Sequence, residues 1–237
     1  MSAAYLDTRG GLNLTLLRQI CAATGLLTAN RAAALIDFML HIGVLEAAPD
    51  HCYRTTPAFQ KAWCRHIQAA LEPVALLDPA LAPVPAALDD PGMYQHFLAI
   101  QACRLYALAS EPDPFPSLRA SFLHPLAGCA ILHTLALACT DEGFVPIEGA
   151  TVPLTALSQR FAVSQPHVRR LLKRAEANRF LLHVGPSRRA FHPEGFPTVR
   201  YHYAAHLAEL IECGRLLLAG RADESAAAEE QLECTAV

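Results

Sequence analysis

The stretch LTALSQRFAVSQPHVRRLLKRAEANRFL, residues 154–181, governs the interpretation of this chain. Six of its residues are Arg or Lys, and its apolar residues recur at helical spacing. Ser164 is suited to cap a helix, and Pro166 falls in the first turn, where a missing N–H does no harm. The spacing therefore predicts an amphipathic helix after Ser164. Its buried side is predicted to consist of Val168, Leu171, Leu172 and Ala175.

The other side of this predicted helix is polar and positively charged. Gln165 and His167 stand near its N-terminal end, where such side chains can hydrogen-bond to base edges in a DNA major groove. Arginine can contact guanine there with two hydrogen bonds. The polar positions of the helix are Gln165, His167, Arg169, Arg170, Lys173 and Arg174.

Charge is unevenly distributed along the chain. The 237 residues carry a net charge of −3. Residues 151–200 nevertheless contain nine basic residues and only two acidic ones, Glu176 and Glu194. The remainder holds 10 basic and 20 acidic residues. A cationic module on an acidic body indicates a polyanionic partner for that module.

The composition indicates a folded, helix-rich protein of the cytosol. The hydrophobic fraction is 53% and aromatic residues make up only 7%, which argues against disorder. No apolar run reaches the roughly 20 residues that a membrane helix requires, and the N-terminus shows no signal peptide. None of the eight cysteines forms a CxxC pair. We expect them to act as small buried apolar residues in a reducing compartment.

The order of elements predicts a winged helix in the C-terminal half. A helix around Ile131 precedes the helix LTALSQRF, the turn AVS and the helix QPHVRRLLKRAEANR. The segment FLLHVGPSRRAFH predicts a β-hairpin with Gly185-Pro186-Ser187 at its tip, and a long helix follows. Arg188 and Arg189 come directly after that tip.

The N-terminal half predicts a similar order. NLTLLRQICAAT and TANRAAALIDFMLHI indicate two helices interrupted at Gly25, with Thr28 as N-cap and Gly43 as C-cap. VLEAAPDHCYRTTP predicts two short strands around a turn. The fold class is therefore mostly α with small β-wings, as two winged helix-turn-helix domains joined by a helical linker. The predicted boundaries are a first domain at 1–60, a Pro-rich linker at 61–117, a C-terminal domain with its closing helix at 118–220 and an acidic tail at 221–237.

The motif AVSQPHVRRLLKR followed by EANRFL resembles the helix-turn-helix and wing entry of MarR-type winged-helix transcription regulators. Arg179 stands where that family usually has glycine. The resemblance implies sequence-specific binding of double-stranded DNA by a homodimer, with Arg188 and Arg189 on the wing in the minor groove or on the backbone. It places Ser164, Gln165, His167, Arg170 and Arg174 against DNA.

The N-terminal unit has a different predicted role. Arg31 is the only Arg or Lys of its second helix, which cannot neutralise several phosphates. IGVLEAAPDHCYRTTPAF resembles instead the winged-helix dimerisation module of small-molecule O-methyltransferases. The chain lacks the glycine-rich cofactor loop of those enzymes, so we expect no enzyme activity and no cofactor. The Ala- and Leu-rich face of residues 29–42 favours a homodimer or a protein partner.

Two pairs of His and Cys residues have the spacing of possible metal ligands. His202 with His206, and Cys129 with His133, each supply two ligands at i, i+4, whereas a metal site needs three or four; we expect no metal.

Two alternative functions remain open beside DNA binding. One is a protein–protein adaptor without DNA readout. The other is a ligand-gated sensor with a small molecule among the apolar helices between Phe97 and Leu137.

Overall fold

The computed structural model describes residues 12–24, 28–109 and 111–235. Over these residues the chain is mostly helical and contains two small antiparallel sheets. This confirms the predicted class of a mostly α protein with short β elements. No single helix within these ranges is long and apolar enough to cross a membrane, although the helical segments Pro116–Leu123 and Gly128–Cys139, which meet at a bend of 98°, reach that length and composition when added together.

The described elements fall into two compact units. The second unit spans residues 113–206, and the first unit comprises the described residues before and after it. The first unit contains β1 (Leu12–Asn13), α1 (Leu14–Thr24), α2 (Ala29–His41), β2 (Leu45–Ala48), β3 (Cys52–Thr55), α3 (Pro57–Leu77), a 3-10 turn (Pro79–Leu81), α4 (Val84–Ala87) and α5 (Pro91–Ala109). The second unit contains α6 (Pro116–Leu118), a π-helical turn (Arg119–Leu123), α7 (Gly128–Cys139), β4 (Ala150–Thr151), α8 (Leu154–Arg160), α9 (Gln165–Ala177), β5 (Leu181–Gly185) and β6 (Arg188–Phe191). The last helix, α10 (Phe196–Thr235), contributes to both units.

Local signals in the sequence account for the start of the first unit. Thr28 caps α2, because its Oγ1 accepts a hydrogen bond of 3.4 Å from the N–H of Arg31. Gly43 follows the end of α2 at φ +71°, a left-handed conformation that glycine adopts without strain. The predicted caps at Thr28 and Gly43 are thus present, whereas Gly25 lies outside the described residues.

The sequence predicted a linker at 61–117. In the structure, residues 61–112 instead belong to the first unit. The prolines of this stretch stand mostly at helix starts, as Pro79, Pro85 and Pro91 do, where the missing N–H leaves no hydrogen bond unmade. The apolar residues between them can therefore turn inward. Together with α3 and the part of α10 after residue 206 they form a core that includes Ile67, Leu71, Val74, Leu81, Val84, Leu88, Tyr94, Phe97, Cys213 and Leu217.

The acidic segment at 221–237, predicted as a separate tail, continues α10 as far as Thr235. Ala, Glu and Gln dominate this segment, and all three favour helix.

The second unit is built around α9. Val168, Leu171, Leu172 and Ala175 are each at most 2% exposed, so the predicted buried stripe is confirmed. They pack with the apolar faces of the neighbouring helices and of the sheet. Core residues from those elements include Leu118, Phe122, Ile131, Leu132, Leu135, Leu157, Phe180, Leu181, Phe191 and Val199.

The two units share one order of elements. In each, a short strand precedes a pair of helices, and a β-hairpin follows them. The short strand pairs with the second strand of the hairpin, which gives the sheet orders β1-β3-β2 and β4-β6-β5. Both sheets are antiparallel throughout.

Candidate nucleic-acid interface

The start of α9 is fixed by the cap that the sequence predicts. Ser164 has an extended backbone, and its Oγ accepts a hydrogen bond of 3.3 Å from the N–H of His167. Pro166 occupies the first turn. The turn from α8 is closed by Ala162, which adopts a left-handed φ of 51°. Ser164 therefore orients α9, and its hydroxyl is already engaged by the protein.

Three cations of α9 form an exposed face. Arg169, Arg170 and Lys173 are all exposed, and their spacing of one and three residues places them on one side of the helix. In the part of the chain that the structure describes, none of the three makes an ion pair or a hydrogen bond through its side chain. Their positive charge is therefore not neutralised within the protein. Gln165 is exposed beside them, with only a long contact of 3.4 Å from its Nε2 to Thr155 Oγ1.

His167 and Arg174 lie on the flank of α9 and contact the second unit itself. His167 Nε2 is 2.8 Å from the carbonyl oxygen of Leu126, and Arg174 Nη1 donates to the carbonyl of Ala120 at 3.1 Å. Asn178 Nδ2 also donates to Ser121 Oγ at 2.8 Å. These contacts anchor α9 on the segment around the π-helical turn. The imidazole of His167 is thus held by the protein instead of facing outward as predicted.

The wing is a tight hairpin. The strands β5 and β6 are joined by Pro186 and Ser187, and Ser187 has a left-handed φ of 55°. Arg188 is exposed at this tip, and its Nη2 donates to the carbonyl of Gly149 at 3.2 Å. The structure places Arg188 at the tip as expected.

Arg189 has a different environment from Arg188. Its side chain is only 14% exposed, and its Nε lies 2.7 Å from Oε1 of Glu176, a residue of α9. Its Nη1 donates to the carbonyl of Arg188 at 3.0 Å. The sequence predicted both wing arginines on DNA, but alternation along β6 turns Arg189 inward. Glu176, the only acid between Arg160 and Arg189, is neutralised by this pair.

This difference predicts that replacing Arg188 affects DNA binding, whereas replacing Arg189 affects stability. Arg188→Ala should reduce the salt dependence of duplex binding by about one unit of slope while leaving stability unchanged. Arg189→Ala should lower the free energy of unfolding by about 2 kcal/mol, because Glu176 is left partly buried without its partner. Urea denaturation and DNA titrations at several salt concentrations measure the two effects. Equal loss of stability in both variants would contradict the inward position of Arg189.

Arg179 follows α9 in a left-handed conformation, with φ at 57°. This backbone state explains why glycine would suit the position. The guanidinium pairs with Glu194, Nη1 lying 2.7 Å from Oε2. Both side chains are exposed, so the pair is a surface contact that adds little stability.

The two pairs of candidate metal ligands lie near each other in the second unit. His133 Nε2 is 3.3 Å from Cys129 Sγ, and its Nδ1 is 2.7 Å from the hydroxyl of Tyr203. The rings of His202 and His206 lie 4.5 Å apart. Burial and the nearby His206 lower the pKa of His133. No group of three or more His, Cys, Asp or Glu side chains among the described residues is arranged to hold a metal ion.

Burial has a strong effect on His202. It is 5% exposed, and its Nε2 is buried without a hydrogen-bond partner within the described ranges. Burial, and next the charges of His206, His133 and Arg119, lower the pKa of His202 to about 4. The imidazole is therefore neutral in the folded protein at physiological pH.

The sequence missed Glu176 and Tyr203 as partners. Glu176 carried one usable signal, since it is an isolated acid in a cationic helix. Tyr203 carried none, because its contact with His133 joins residues 70 positions apart.

The cysteines agree only in part with the expected burial. Cys21, Cys52, Cys139 and Cys213 are buried, whereas Cys103 and Cys129 are exposed. The seven cysteines whose side chains the structure describes are free thiols.

Comparison with known proteins gave no significant match: no family model, no curated relative and no solved structure is similar to this chain.

Proposed function

We propose that the second unit is a winged helix-turn-helix domain that binds double-stranded DNA with sequence preference, and that the protein regulates transcription in the cytosol. The observation that carries this proposal is the outward face of α9. Arg169, Arg170 and Lys173 stand there exposed, on a helix whose opposite side is buried in the core. Such a row of uncompensated cations matches the phosphates that border a major groove.

The arrangement of elements supports a winged-helix assignment of both units, with a MarR-like relation for the second. A helix, a short strand, two helices and a hairpin occur in that order from α7 to β6, and β4 pairs with β6. In winged helices the third helix enters the major groove and the hairpin reaches the backbone or minor groove. α9 and Arg188 then take these two positions.

The first unit is the candidate dimerisation module. Phe38 on α2 and Ile42 directly after it are 57% and 50% exposed, and Leu105 and Leu108 on α5 are about half exposed. Apolar surface of this kind is typical of protein contacts. We infer a homodimer in which each second unit contacts one half of a two-fold DNA site.

Selection of binding sites from random duplex DNA tests this function. We expect a motif with two half-sites whose centres lie about one helical turn, roughly 10 bp, or a multiple of it apart. Gln165→Ala or Arg170→Ala should weaken binding to that motif by about tenfold or more, as expected for the loss of a base contact. Non-specific DNA should lose less affinity.

Gln159→Ala is the matched control, because it removes an exposed carboxamide from α8 instead of α9. No recovered motif and no salt-dependent DNA affinity would exclude DNA readout and favour the protein–protein adaptor.

A further inference from the structure

We propose that the first unit contains a small-molecule site: a cavity that takes a flat aromatic acid. The cavity has a volume of about 490 Å³ and lies between β3, α3 and α5. This is the size range of pockets that hold small organic ligands. The site is separate from the DNA interface, which belongs to the second unit.

Aromatic side chains form much of the wall. Phe59 and Trp63 stack on α3, with ring centres 5.9 Å apart and planes inclined by 17°. Tyr53 of β3 and Tyr94 of α5 also line the cavity. Trp63 is 38% exposed, which leaves a large indole surface available for contact. Flat rings stack on such surfaces with favourable dispersion and electrostatic geometry.

The wall between the strand and the helix is held in place by hydrogen bonds. Gln60 Nε2 donates to the carbonyl of Thr55 at 3.1 Å and to its Oγ1 at 2.9 Å. Thr56 caps α3 by accepting from the N–H of Phe59 at 3.3 Å. The start of α3 is therefore fixed against β3. The cavity is formed before a ligand arrives, which lowers the entropic cost of binding.

One charge selects the ligand class. Arg54 is the only charged residue among the described residues that line the cavity. It contacts Glu46 through Nε, which lies 2.6 Å from Oε1, and its side chain is 67% exposed. A guanidinium has four further N–H donors, which can bind a carboxylate with two parallel hydrogen bonds. An aromatic ring in the cavity can then place an acidic group against Arg54.

The rest of the lining contributes shape without charge. Leu98, Ala99 and Ala102 of α5 face the cavity with small or aliphatic side chains. The alanines leave room that a larger residue would fill. A fused two-ring ligand fits this space better than a long flexible one, because the aromatic walls favour flat surfaces.

The test uses 2-naphthoate as the probe, with 2-naphthylmethanol and 2-naphthylmethylamine as its neutral and cationic counterparts. Trp63 is the only tryptophan of the chain, so its emission reports directly on the cavity. Calorimetry on the full-length protein without DNA provides a second measurement. We expect 2-naphthoate to bind and change the Trp63 emission, and the other two probes to bind at least about tenfold more weakly.

Two variants test separately how the acidic group and the aromatic ring of the probe are bound. Arg54→Gln should weaken 2-naphthoate about tenfold and leave the alcohol unchanged. Ala102→Phe should abolish binding of all three probes by filling the cavity. The matched controls are Arg65→Gln on α3 and Ala107→Phe on α5, both exposed positions outside the lining, and neither should change the affinities.

Three results would overturn the proposal. If 2-naphthoate produces no heat and no change in emission, the cavity does not bind aromatic acids. Equal binding of the acid and the alcohol, unaffected by Arg54→Gln, would remove the acid selectivity. Binding that survives Ala102→Phe would place the probe elsewhere on the protein. None of these results bears on DNA binding by the second unit.

Discussion

Replacing Arg169, Arg170 and Lys173 together by Ala should lower the affinity for duplex DNA about a hundredfold near 0.15 M salt. Each of these cations is exposed and lacks a partner among the described residues, so each is available to one phosphate or base. Each phosphate contact adds about 0.9 to the slope of log affinity against log salt. The triple variant should therefore lose nearly three units of slope, which titrations at several salt concentrations measure.

A matched variant removes the same charge from the first unit. Arg31, Lys61 and Arg65 are exposed there, and replacing all three by Ala changes the net charge equally. This variant should bind DNA with nearly the wild-type slope. If both triple variants lose the same affinity, DNA binding depends on overall charge, and the role of α9 is wrong.

Acidification should destabilise the protein through His202. Its pKa is about 4 in the folded state, against about 6.5 for an unfolded histidine. Between these values the unfolded chain binds more protons than the folded one, so stability falls as pH decreases. The loss from this group is about 2 kcal/mol between pH 8 and pH 5, and about 3 kcal/mol once both states are protonated. Urea denaturation at a series of pH values measures it.

His202→Phe should reduce this dependence, because phenylalanine fills the apolar site beside Phe115 without titrating. The groups around His202 are His206 on α10, His133 on α7 and Arg119, which is itself paired with Asp113 at 2.6 Å. Burial also lowers the pKa of His133, so part of the dependence should remain. His183→Gln, at an exposed position on β5, is the control. Equal pH profiles for wild type and His202→Phe would contradict the assignment.

Periodicity predicted the backbone of the second unit well, because its information is local. The stripe from Val168 to Ala175 fixes which side of α9 is buried, and Ser164 with Pro166 fixes its start. Neither signal depends on distant parts of the chain.

Side-chain partners were harder to predict, because they come from distant residues. His167 and Arg174 are polar positions of an amphipathic helix, and nothing local shows that carbonyls at Leu126 and Ala120 hold them. The inward position of Arg189 depends on which residues of β6 face the core. Next to a hairpin tip the sequence alone does not fix this alternation, so both arginines were predicted to face DNA. Residues 61–112 were taken for a linker because their prolines suggested irregular chain, whereas Pro79, Pro85 and Pro91 stand at the starts of helices that form a core.

The first unit is discontinuous in sequence, and this affects how a newly made chain folds. Its core requires Cys213 and Leu217 of α10, which leave the ribosome after the whole of the second unit. The second unit is continuous and can fold as soon as residue 206 has emerged, as domains generally do during synthesis. Until then, the helices around Leu71 and Val74 expose apolar surface that α10 later covers. A pause in translation before residue 207 therefore lengthens the period in which chaperones and aggregation compete for the growing chain.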